Sequence, residues 1–86
     1  MTFQARLRRV LRDGNLTVAD LARWFGRKDA TVRAWVNSGY GPRGGYRDQV
    51  YIQDRLNELE RKIFKNEKSI PPGLDRKGRR QFMSNW

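Results

Sequence analysis

Apolar residues recur along this chain at helical spacing, in four runs separated by glycines or turn formers. Phe3, Leu7, Val10 and Leu11 fall at i, i+4, i+7 and i+8, one stripe of a helix, with Arg6, Arg8, Arg9 and Arg12 around its sides. Gly14 is placed to end it as a C-terminal cap. A second inward face, Val18, Leu21, Ala22 and Phe25, comes after Thr17, which suits an N-cap, and includes Asp20 beside it, whose charge suits the helix start. It ends at Gly26. A third face is Val32, Trp35 and Val36, with Asp29 as its expected cap. "NSGYGPRGGY" (Asn37–Tyr46) holds four glycines and a proline and reads as loop. From about Tyr46 to Lys65 the pattern is helical again, with Ile52, Leu56, Leu59 and Ile63 spaced 4, 3 and 4, and Glu58 set to pair with Lys62. Pro71-Pro72-Gly73 ends regular structure. The remainder, "LDRKGRRQFMSNW", shows no period and reads as mobile. Strand signals are weak, amounting at most to a small hairpin in the Gly-rich loop. The pattern predicts an all-α fold, a small bundle of about four helices over residues 1–66, followed by a basic flexible tail, 67–86.

Composition narrows the classes. Eighty-six residues make one small domain, and no cysteine is present to staple its core, which fits a reducing compartment. No apolar run approaches the roughly 20 residues of a membrane span, and the opening residues lack the apolar block of a signal peptide. No membrane partner is expected, and the expected location is cytoplasmic. Nineteen Lys and Arg against nine Asp and Glu give a net charge of +10, which predicts attraction to polyanions, nucleic acid first. The charge is uneven. Residues 1–47 carry net +7, residues 48–67 net −1, and residues 68–86 net +4. That division suggests a middle segment that meets protein and flanks that meet the polyanion.

The stretch Val18–Asn37 explains the glycine at position 26. Two short helices crossing at a steep angle need a tight turn that tolerates positive φ, and a small residue where they approach. Ala22 is small, Gly26 comes four residues later, Leu21 and Phe25 are apolar, and Val32 and Trp35 anchor the second helix of the pair. This arrangement resembles the helix-turn-helix of phage repressor, Cro and excisionase-type DNA-binding proteins, closely over about 20 residues. The segment "WVNSGYGPRGGYR" is also similar to the winged-helix part of MerR-like regulators and excisionases. Only Gly41–Gly44 separates its two ends, short for a two-stranded wing.

The resemblance implies that helix 29–37 enters the major groove of double-stranded DNA. The groove-facing candidates are Lys28, Asp29, Ala30, Arg33, Ala34 and Asn37, with Arg33 first for a guanine edge. Arg33 has a phosphate contact as its equal alternative, and Asp29 reads better as a cap than as a base reader. Thr31, Arg23 and Arg27 are expected at phosphates. Arg43, between a proline and two glycines, is expected in or beside the minor groove, with Tyr40, Tyr46 and Arg47 at flanking phosphates. A flexible, solvated loop is the alternative there.

The 52/56/59/63 seam has two readings. It either completes the chain's own core or forms a homodimer through Ile52, Leu56, Leu59 and Ile63 of helix 46–65. Trp24 lies beside the second helix's inward face, set to pack under the fourth helix or to meet a partner. Phe82, Met83 and Trp86 suit docking of the tail on the domain, a second subunit or another protein, and Arg76, Lys77, Arg79 and Arg80 equally suit tracking of phosphates without sequence preference. Without histidine or cysteine the chain lacks the commonest general base, the thiol nucleophile and nearly all zinc-site ligands. No enzyme activity, metal or cofactor is expected. The sequence therefore reads as a sequence-specific DNA-binding transcription regulator of phage or bacterial type. The alternatives are an excisionase-like architectural factor, the DNA-binding part of a packaging subunit, or a basic adaptor for RNA or protein.

Overall fold

Side-chain caps fix where three of the helices start. In a computed structural model, which describes all 86 residues, the chain forms five α-helices and one π-helical turn, with no strand. Helix α1 spans Phe3–Asp13, and the Thr2 hydroxyl caps it by accepting from the Ala5 N–H at 3.1 Å. Helix α2 spans Val18–Phe25. The Thr17 hydroxyl accepts from the Asp20 N–H, and the Asp20 carboxylate accepts from the Thr17 N–H, which satisfies two otherwise orphaned donors. Helix α3 spans Asp29–Ser38 and helix α4 Tyr46–Glu60. The chain runs on from α4 into the π-helical turn Arg61–Lys65. Helix α5 spans Arg76–Met83, with the Asp75 carboxylate accepting from the Gly78 N–H at 2.7 Å.

Two local expectations need correction. Asp29 makes no cap bond; Lys28 holds the N-cap position, and Asp29 sits in the first turn, where its charge still suits the dipole. Glu58 pairs with Arg55, three residues before it, at 3.1 Å and not with Lys62. Gly14 is the C-cap of α1, as expected, at φ −90°, and Asn15 follows it in the left-handed region at φ 53°. Gly14 is required for closeness. A Cβ there would lie 2.7 Å from Cδ1 of Ile63 and 2.9 Å from the Val10 carbonyl oxygen, contacts that real side chains do not make.

One core joins all five helices and the π-helical turn. Its fifteen buried residues include Leu7 and Val10 of α1, Leu21 and Phe25 of α2, Val32 and Trp35 of α3, and the α4 seam. Trp35 meets Phe3 and Phe25 edge-on at 5.8 and 5.9 Å between ring centres, a favoured aromatic geometry. Ile52, Leu56 and Leu59 are fully buried and Ile63 nearly so. The seam is therefore filled by the chain's own helices, and a dimer through these four residues would require the fold to open. Each such side chain stabilises the fold by roughly 1.5–3 kcal/mol.

The tail is also corrected. Residues 67–86 do not form a flexible arm: Ile70 and Met83 are buried, and Trp86 packs against the core. The Ile70 N–H donates to the Gly14 carbonyl at 2.9 Å, and the Asn15 amide donates to the Ile70 carbonyl at 2.7 Å. Arg79 then ties α5 to α2 through Asp20, at 2.9 Å from Nε. Asp20 is 2% exposed, so a charge there is sustained only by such pairing.

Candidate nucleic-acid interface

The geometry around α3 begins with its two ends. At the N-terminal end, Gly26 takes φ 67° and ψ 38°, the left-handed conformation that glycine adopts without strain. Its N–H and that of Arg27 return to α2 carbonyls, the latter to Ala22 at 2.9 Å. At the C-terminal end, the Val36 carbonyl accepts from the Gln4 amide at 2.8 Å and from Nε of Arg8 at 3.2 Å. A cation at a helix C-terminus also complements the negative end of its dipole. Helix α3 is thus held from α2 at one end and from α1 at the other.

Between these supports the helix has two unlike sides. Val32, Trp35 and Val36 are buried, whereas Lys28, Ala30, Thr31, Arg33, Ala34 and Asn37 are exposed, and Asp29 is half-buried. None of the exposed six donates or accepts a side-chain hydrogen bond or forms an ion pair within the chain. Asp29 has one loose pairing, with Arg76 at 3.9 Å. Ten residues of helix span about 15 Å, enough to lie along a major groove about 12 Å wide.

The other expected contacts divide. Arg43 is exposed, with its guanidinium 5.3 Å from the centre of the Tyr40 ring; Tyr46 and Arg47 are exposed in the first turn of α4. No strand forms in the loop between α3 and α4, so it carries no wing. Arg27 is committed inward. It pairs with Asp48, donates to the Gly26 carbonyl at 3.1 Å and lies over the Tyr51 ring. Arg23 is half turned inward, its Nη1 3.7 Å from Oδ1 of Asp20. Trp24 packs under α4: its indole N–H donates to the Arg55 carbonyl at 2.8 Å, and the Arg55 guanidinium stacks on its ring at 3.9 Å.

Two placements escaped the reading of the sequence. Gln4 and Arg8 stand at i, i+4 on α1, a spacing that places both on one face; nothing local indicates that the Val36 carbonyl lies opposite. Arg76, Lys77 and Arg80 reach the start of α3 because α5 is folded there. Asp75 with Gly78 three residues later, and Arg79, Met83 and Trp86 at i, i+4 and i+7, was the available signal for that helix.

Electrostatics elsewhere is consumed locally. The Asp13 carboxyl lies below the usual carboxylate range, first because Arg12 hydrogen-bonds it, with Arg9 adding attraction. Hydrogen bonding to Glu60 raises the Arg6 guanidinium further above its ordinary value. No group of three or more carboxylates converges as a metal site would require, and no helix is long and apolar enough to cross a membrane. The chain matches no family model, no curated protein and no solved structure.

Proposed function

We propose that the chain is a sequence-specific double-stranded DNA-binding protein, a transcription regulator of phage or bacterial type. In this reading α2, the Gly26 turn and α3 act as a helix-turn-helix with α3 in the major groove. One observation carries the reading: the side of α3 opposite its buried anchors is uncovered, and its polar residues have no partner inside the chain. Polar side chains on a helix clamped at both ends are preorganised for a ligand, which limits the ordering cost on binding.

Each role comes from position. Arg33, at the middle of the free side, suits a bidentate contact to a guanine edge; Asn37, one turn on, suits an adenine edge. Lys28 at the helix start and Thr31 suit the flanking phosphates, and Ala30 and Ala34 let the helix approach closely. Arg43 and Arg47 extend the positive surface along the duplex, with Tyr46 beside them.

Arg33→Ala tests the reading by titration of a selected DNA site and of random duplex. A loss of about 1–3 kcal/mol on the preferred site, with little change on random DNA, is the expected result. Equal losses on both would reduce Arg33 to a phosphate contact. Indifference of binding to every substitution on the free side of α3 would remove the groove-reading model.

A further inference from the structure

A cleft of about 470 Å³ opens between α2, the start of α3 and α5, lined by Arg23, Arg27, Arg76, Lys77 and Arg80, with Asp29 as its one anion. Two of these cations are partly spent, Arg27 on Asp48 and Arg23 on Asp20. The α5 trio is free. Lys77 and Arg80 have no carboxylate within ion-pairing distance, and Arg76 has only the 3.9 Å approach to Asp29, with its side chain 79% exposed. A helix carrying three unneutralised cations beside two more is self-repelling, and an anion between them relieves that repulsion.

We infer that this cleft is a phosphodiester site, in which Arg76, Lys77 and Arg80 hold one strand's backbone where it passes the N-terminal end of α3. The inference rests on the DNA-binding reading and deepens it, because it assigns a folded role to a segment whose sequence reads as a loose arm. The placement is set by two contacts. Arg79 anchors α5 to the buried Asp20, and the Arg76–Asp29 approach puts the first turn of α5 beside the first turn of α3. A strand bordering a groove occupied by α3 would run across that junction. Backbone contacts of this kind fix register and orientation and carry no sequence information themselves.

The test is a triple variant, Arg76→Ala, Lys77→Ala and Arg80→Ala, in the full chain. The anchors Arg79 and Met83 stay in place, so helical circular dichroism and melting serve as the folding check. A Gln triple at the same positions is the second variant should alanine disturb α5. The expected result is a loss of about tenfold or more, of equal size on a preferred site and on random duplex. The slope of log affinity against log salt becomes shallower by about 2 to 3, from about 0.9 per phosphate contact. Unchanged affinity and slope in a folded variant would overturn the cleft assignment. If Arg33→Ala still discriminates between sites in that case, the groove reading survives. A native chain that binds no duplex at all would overturn both together.

Discussion

The surfaces of α3 and α4 are both rich in polar groups, yet they do opposite things with them. On α4 most of the charges are paired inside the molecule. Arg6 reaches across from α1 to Glu60, with Nε 3.1 Å from Oε2, and also donates to Gln53 and Asn57. Arg27 crosses from α2 to Asp48, and Arg55 answers Glu58 while donating to the Trp24 carbonyl at 2.9 Å. On α3 no such pairing exists beyond the loose Arg76–Asp29 approach. The near-neutral balance of the middle segment thus goes in part to ion pairs within the chain. Glu60, Asp48 and Glu58 pair with arginines of α1, α2 and α4, whereas Arg33 of α3 and Lys77 and Arg80 of α5 have no such partner.

Leu59→Asp makes the largest demand on this division. A buried, unpaired charge in the seam should abolish helical circular dichroism at 25 °C, and Leu59→Ala should cost about 2–5 kcal/mol in urea unfolding. A folded monomer released from a dimer would instead return the seam to an intermolecular role. Asp20→Ala comes next, at about 3 kcal/mol, because it removes the reciprocal cap of α2 and strands Arg79 and Arg23. Hydrogen exchange should show α5 opening more than α1 in that variant. Arg6→Ala should cost about 2 kcal/mol of stability, whereas Arg33→Ala should stay within about 0.5 kcal/mol of the native chain. Comparable stability losses for the two would erase the distinction between the surfaces.

The smallest effect is at Asp13. Its carboxyl is held below its unfolded value by Arg12, so its contribution is present above the unfolded value and lost as pH falls through the folded one. The difference in melting temperature between the native chain and Asp13→Asn should be slight at neutral pH and vanish in acid.

The sequence was legible where a periodic apolar face was long or a cap was chemically specific. The Thr17–Asp20 pair, the glycine at 26 and the 4, 3, 4 seam each state a local rule, and each is obeyed. The free side of α3 was legible for the same reason, since three anchors fix which residues face away. What stayed hidden was long-range. Helix α5 is eight residues with a glycine inside it, too short and too polar for propensity to declare. Its order comes from Asp20, 59 residues away from Arg79, and from a core that accepts Met83. The inward turn of Arg27 depends likewise on Asp48 in a different helix, so residue type alone placed it among the phosphate contacts.

The Arg6 cluster has a practical consequence. Its side chains are largely shielded, with Arg6 20% and Glu60 22% exposed, so dissolved ions weaken it far less than they weaken attraction to a polynucleotide. Under the DNA-binding reading proposed above, concentrated sodium chloride should therefore strip bound nucleic acid during chromatography while leaving the protein folded.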